Sequence, residues 1–252
     1  RGMELGGNAV NQAADQIIEK ATNLAAHLLQ SDVTKISYLN GQFGESSSGA
    51  SISINEVIKA SLDEDRLPDD MKNGALNTGA TFERSDVSIP NGCHAAAVEV
   101  DPETGVIKLT DYWIVDDFGT IINPLLANGQ VMGGVAQGIG QAILENIVYD
   151  ADSGQLITGS LMDYGLPRAD MIPNMHIEYF EGAPTKKNPL GVKGAGEAGC
   201  VGSLPTIVNA VLDALKDHGV VHIDMPLTPE KVWRSIRDQG KHEAEDLMQS
   251  VL

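Results

Sequence analysis

Residues 188–202 read Asn-Pro-Leu-Gly-Val-Lys-Gly-Ala-Gly-Glu-Ala-Gly-Cys-Val-Gly, with five glycines in fifteen positions and a single carboxylate, Glu197. No other stretch constrains the fold as tightly. Glycine lacks a Cβ, so such a loop can press its backbone against a ligand and adopt conformations closed to other residues. A lone acid among these glycines is a candidate general base. The plain alternative is a glutamate at a helix N-terminus, where the helix dipole favours negative charge. From chemistry alone both readings stay open.

The rest of the chain predicts an α+β fold of mixed β hairpins packed with helices. Val10, Ala14, Ile17, Ile18, Ala21, Leu24, Ala25 and Leu28 form one apolar stripe, predicting a helix over 8–29. A polar turn is expected over 44–49, and Ser53 with Glu56 fits a capping box before a second helix. Residues 63–86 lack periodicity and read as a long surface loop. A hairpin is expected from 95–100 and 106–115 around Asp101-Pro-Glu-Thr-Gly105, and a second from 147–149 and 155–158. Strands are expected at 175–180 and 220–223. Asn123-Pro124 reads as the cap and first residue of a helix reaching about Glu145. That helix holds Gly129, Gly133, Gly134, Gly138 and Gly140. Each weakens it by about 1 kcal/mol relative to Ala, so tight packing or a ligand must offset the loss. After the glycine loop, Ser203 and Pro205 open a further helix, and Thr228-Pro229 opens the last one.

Several chemistries are disfavoured. Gly194-Ala-Gly-Glu-Ala-Gly199 matches the dinucleotide pattern G-x-G-x-x-G, but Thr185-Lys-Lys-Asn-Pro189 precedes it where a buried strand is required. Asp150-Ala-Asp152 begins no calcium loop, since Gly154 and Leu161 fall where ligands are needed. Cys93, His94, Cys200, His218 and His222 lack metal-site spacing, and no G-x-S-x-G element occurs. A formal charge of −18 argues against nucleic-acid binding. Two cysteines suggest a reducing, cytoplasmic compartment and cannot hold an iron–sulfur cluster alone. No apolar run reaches the length of a membrane span. The chain opens on Arg1 rather than Met, which we read as a fragment, a processed subunit or a chain lacking its true start. Two further candidates are Gln137, whose amide suits a heterocycle edge or phosphate ester, and Lys193, which can meet a phosphate; for each the plain alternative is a surface side chain.

Taken together, several segments resemble one family. These are Gly6-Gly-Asn-Ala9, Pro90-Asn-Gly-Cys-His94, Val98-Glu-Val-Asp-Pro-Glu-Thr-Gly105, Val115-Asp-Asp-Phe-Gly-Thr-Ile-Ile-Asn-Pro124, Gly129-Gln-Val-Met-Gly-Gly-Val-Ala-Gln-Gly-Ile-Gly140, Met162-Asp-Tyr-Gly-Leu-Pro-Arg168, the glycine loop, and His222-Ile-Asp-Met-Pro-Leu-Thr-Pro229. The chain resembles the C-terminal part of the molybdenum-binding large subunit of the xanthine dehydrogenase family, which includes aldehyde oxidoreductases and aerobic carbon monoxide dehydrogenases.

The resemblance implies a molybdenum hydroxylase that oxidises an aldehyde, an N-heterocycle or carbon monoxide with water-derived oxygen. Its cofactor would be molybdenum held through a pyranopterin, as the cytosine dinucleotide in bacterial members, with no metal ligand from the protein. The position matching Glu197 is then the active-site base. Arg1, Gly134, Gln137, Gly138, Lys193, Gly194, Ala195 and Gly196 fall in matching cofactor-contact segments. Near the start this chain has Gly2 and Met3 where relatives often carry hydroxyl residues. Residues 1–252 would form the C-terminal cofactor-binding region, in subdomains of about 1–120 and 121–252, with the family's N-terminal portion absent. Partners would be that portion, an iron–sulfur subunit and an FAD subunit, in a cytoplasmic hetero-oligomer. Two rivals remain: a C-terminal piece that binds partner chains without turnover, and a nucleotide-binding module built on Gly194–Gly199.

Overall fold

The computed structural model describes residues 2–72, 75–84 and 86–238. Two compact units emerge. One comprises Arg1–Asp86 with Asn188–Leu190, and the other Val87–Lys187 with Gly191–Leu252. The first hairpin therefore lies in the second unit, which the chain enters after Asp86 and leaves again only for Asn188–Leu190.

In the first unit a π-helical turn, Gly2–Gly7, leads into helix α1, Asn8–Leu28. Ala21, Leu24 and Ala25 of α1 are buried with Phe43, Val57 and Leu67, while Val10, at the far end of the predicted stripe, is exposed. Strands β1 (Ile36–Leu39), β2 (Gln42–Glu45) and β3 (Ser51–Ser53) form an antiparallel sheet in that order. The sequence reading missed this sheet and began a turn at Gly44, inside β2. The signal was available in Asn40-Gly41, whose φ angles are 49° and 81°. Left-handed conformations at both central residues suit a tight hairpin, and Asn-Gly adopts them readily. Helix α2, Ile54–Ser61, opens on the expected capping box, with Ser53 accepting from the Glu56 N–H and Glu56 from the Ser53 N–H. The following segment is irregular apart from 3₁₀ turns at Glu64–Arg66 and Asp69–Met71.

The second unit is built on strands β4 (Asn91–Val100) and β5 (Ile107–Asp117), an antiparallel hairpin with a bulge between Ala97 and Val98. Its turn closes where the Gly105 N–H donates to the Asp101 carbonyl at 2.7 Å. Strand β6, Asn174–Tyr179, joins β5 in parallel, giving the order β4-β5-β6. Parallel pairing requires a crossover, which contains helix α3, Pro124–Ile139. Asn123 caps α3 as expected, accepting from the Leu126 N–H. The helix ends at Ile139 and passes into a π-helical turn, Gly140–Leu144, rather than continuing to Glu145.

Three expectations need correction here. The second hairpin is short, with one antiparallel bridge, Tyr149 to Leu156, flanked by backbone bonds from the Asp150 N–H to the Gln155 carbonyl and from the Ile157 N–H to the Val148 carbonyl, each at 2.8 Å. Residues 220–223 form no strand, although Val220 and Ile223 are buried. Helix α4 spans Ala198–Ala214 and so begins five residues before Ser203, with Pro205 inside it. Pro205 cannot donate a backbone bond, and Gly199 and Gly202 are poor helix formers. Packing overrides both. Leu109, Tyr112 and Ile114 of β5, Val131, Val135 and Ile139 of α3, and Ile207, Val211 and Leu215 of α4 share one core. A last helix, α5, covers 229–238.

Candidate functional site

The part of the glycine loop that lies in the second unit starts at Gly191, and its backbone is stitched to the end of β5. The Lys193 N–H donates to the Phe118 carbonyl at 2.7 Å, the Thr120 N–H to the Gly191 carbonyl at 3.1 Å, and Val192 bridges Gly119. Gly119 has φ +68°, and a Cβ there would lie 2.1 Å from the Gly191 oxygen. Only glycine permits both that angle and that approach.

Lys193 is tied by its side chain as well. Its Nζ lies 2.6 Å from Asp117 Oδ2, and both side chains are 11% exposed. Asp117 Oδ1 accepts from the Gly119 N–H at 2.8 Å. Burial acts to raise the Asp117 pKa. The Lys193 hydrogen bond, the Gly119 N–H, the Lys193 charge and Asn91 outweigh it, holding the carboxyl below its ordinary value. The expected phosphate contact for Lys193 is thus not needed to account for its charge. A carboxyl depressed on folding contributes stability that is complete above its unfolded value of about 3.9 and is lost as pH falls through the folded value. We therefore expect Asp117→Asn to lower the thermal midpoint near neutral pH, with the gap to wild type closing as pH drops below about 4. A gap of constant size down to acid pH contradicts this account.

Beyond Lys193 the loop opens to solvent. Glu197 is exposed at the N-cap of α4 and makes no side-chain capping bond. Gly196 precedes it, and a Cβ there would meet nothing within 4 Å. Gly194 and Ala195 are half-buried, with the Gly194 N–H directed at the Ser88 carbonyl and Ala195 packed on the core. Gln130 on α3 donates to the Gly196 carbonyl at 2.8 Å. Sequence reading missed Gln130, although it recurs with Gly133 and Gln137 at helical spacing on one face. Gln137 is exposed.

The glycines of α3 divide into two sets. Gly129 and Gly133 face open space. Gly134 and Gly138 face α4, where a Cβ would fall 2.9 Å from the Cys200 nitrogen and 1.7 Å from Ser203 Oγ. Contacts advance together along both helices, from Gln130 with Gly196 through Gly134 with Gly199 to Gly138 with Ser203, so α3 and α4 run parallel. The cost of the second set is offset by close helix approach, as packing rather than ligand contact. Arg1 lies outside the described residues. Among the described residues no group of three His, Cys, Asp or Glu side chains could hold a metal ion, and Cys93 and Cys200 are free thiols. No described helix is long and apolar enough to cross a membrane.

A family model described as a molybdopterin cofactor-binding domain matches residues 1–173. The nicotine 6-hydroxylase large subunit of Paenarthrobacter nicotinovorans is 37% identical over 239 residues, covering 94% of this chain and 29% of the relative. The carbon monoxide dehydrogenase large chain of Hydrogenophaga pseudoflava is 31% identical over 240 residues, covering 95% and 29%. The crystal structure of quinoline 2-oxidoreductase from Pseudomonas putida 86 matches with a TM-score of 0.84 and 38% identity, over 94% of this chain and 30% of that one. The chain spans less than a third of the length of these relatives.

Proposed function

This chain belongs to the molybdopterin-binding large-subunit family of xanthine dehydrogenase, aldehyde oxidoreductase and carbon monoxide dehydrogenase enzymes, in its C-terminal region, and from that premise we propose that it supplies the catalytic base of a molybdenum hydroxylase. The observation that carries the reading is Glu197: an exposed carboxylate with no capping bond, on a glycine-lined turn at the start of α4.

The residues present fit a pyranopterin. Gly129, Gly133 and Gly196 leave backbone uncovered where any Cβ would meet open space. Gln137, exposed on the same helix as Gly129 and Gly133, offers both donor and acceptor to a heterocycle edge. Gly194, Ala195 and Gly196 present the loop backbone, and Gln130 fixes the Gly196 carbonyl. When bound, the molybdenum group supplies a Lewis acid and an electron sink for hydroxylating an electron-poor carbon. Glu197 receives the proton that this chemistry releases on one of its Oε atoms. A base must change protonation state during turnover, and a carboxylate without a capping bond is free to do so. Lys193 holds the loop through Asp117, and Gly134 and Gly138 let α4 approach α3.

In this reading the pterin carries a cytosine dinucleotide. The substrate is an aldehyde, an N-heterocycle or carbon monoxide, and electrons leave through iron–sulfur and FAD partner chains in a cytoplasmic hetero-oligomer. Leu125, Leu126 and Met132 of α3 are exposed close in sequence to Gly129 and Gly133, apolar surface suited to the remaining portion of the subunit. Molybdenum and a cytosine nucleotide released by acid from the purified native assembly, each about equimolar with this chain, are the expected result. An intact assembly yielding neither would instead favour a partner-binding piece without turnover.

A further inference from the structure

Strand β5 ends in two buried carboxylates, Asp116 and Asp117. Burying an ionised carboxylate is costly unless it is paired, and each of these has its own partner. Asp117 holds Lys193. Asp116 Oδ1 lies 3.2 Å from His94 Nε2, with the two side chains 2% and 3% exposed. His94 Nδ1 lies 3.0 Å from the Tyr112 hydroxyl. Burial raises the Tyr112 pKa, a hydrogen bond with Thr206 works against this, and the Asp116 charge adds to it, so the phenol stays a donor. With Nε2 donating to Asp116 Oδ1, Nδ1 is the nitrogen that accepts from the Tyr112 hydroxyl. Asp116 Oδ2 has no hydrogen-bond partner.

Two glycines make room for this network. Gly92 pairs with Asp116 across the β4–β5 ladder, and a Cβ there would fall 2.0 Å from Asp116 Oδ1. A Cβ at Gly202 in α4 would fall 2.5 Å from the His94 ring. Glycine inside a strand or helix sacrifices stability, and at these two positions the sacrifice seats an imidazole and a carboxylate. The contacts bracket one short stretch. Asp117 grips Lys193, four residues before Glu197, and Asp116 reaches through His94 to Gly202, five residues after it.

We infer that Asp116 and Asp117 are a positioning pair, fixing both ends of segment 193–202 so that its central turn presents Glu197 in one place. The bracket stands on the geometry alone, and its catalytic meaning rests on the reading of Glu197 given above. The test uses the cofactor-loaded native assembly and the variants Asp117→Asn, His94→Leu and His94→Gln. Amide hydrogen exchange in peptides covering 193–202 is expected to speed about tenfold or more in Asp117→Asn and His94→Leu, with the first unit unchanged. In the same variants kcat is expected to fall about 10- to 100-fold with KM held within about twofold, since a small misplacement of a reacting group carries that penalty. His94→Gln, whose amide can donate to Asp116 and accept from Tyr112, is expected to restore protection. Faster exchange at 193–202 with unchanged kcat keeps the bracket and removes Glu197 from the chemistry. Unchanged protection, or loosening spread evenly over the second unit, overturns the inference. Should His94→Leu fail to assemble, Asp117→Asn alone decides by the same measurement.

Discussion

Glu197→Gln is expected to lower kcat by about 10²- to 10⁴-fold, the range a positioned general base contributes, while KM and molybdenum content stay at wild-type values. The amide keeps the shape of the carboxylate and loses its basicity. Nothing in the local structure is lost with it, because the Glu197 side chain is exposed and caps no N–H of α4. Stability should therefore stay within about 0.5 kcal/mol of wild type, as at other surface positions without partners. A loss of kcat matched by an equal loss of kcat/KM assigns the interaction to the transition state. Glu197→Asp supplies the comparison. It keeps the carboxylate but withdraws it by one methylene, so activity between wild type and the amide is expected. Steady-state rates at saturating substrate check both, with metal content measured on the same preparations. Wild-type turnover in Glu197→Gln removes this residue from the mechanism.

That Glu197 could be singled out at all reflects how local its signal is. An acid isolated among glycines is visible in fifteen residues. The same holds for the capping box at Ser53, the Asn123 cap of α3 and the hairpin around Asp101, each written within a few positions. What supports the site was illegible because it is written at long range. Lys193 and Asp117 stand 76 residues apart, and nothing in either neighbourhood announces the other. Gln130 reads as an ordinary helix-surface amide until Gly196 is placed beside it. His94 and Asp116 look like routine strand residues, and only the ladder register sets Gly92 opposite the carboxylate. The start of α4 was misjudged for a related reason. Pro205 and two glycines argue locally against a helix, and the opposing term is the fit of Gly199 against Gly134.

That fit leads to the second large effect, a loss of stability in Gly138→Val. A Cβ at Gly138 would lie 1.7 Å from Ser203 Oγ, 2.8 Å from Ser203 Cβ and 3.3 Å from the Cys200 carbonyl oxygen. Ser203 cannot swing aside at little cost, since it is fully buried and its hydroxyl donates to the Cys200 carbonyl at 3.0 Å. The two helices must separate. Overpacking of a tight core costs about 1–3 kcal/mol and more where backbone has to move. Each kcal/mol shifts the melting point of a chain of this size by about 2–4 °C, so a drop of several degrees is expected. Gly129→Ala is the control on the same helix. Its Cβ would meet nothing within 4 Å, and helix propensity alone favours alanine by about 1 kcal/mol, so the melting point should hold or rise. Opposite responses from two glycines nine residues apart would show that α3 keeps one set for packing and the other for an open face. A Gly138→Val protein melting with the wild type would mean that the close approach of α3 and α4 contributes nothing, and that the glycines of α3 need a different explanation.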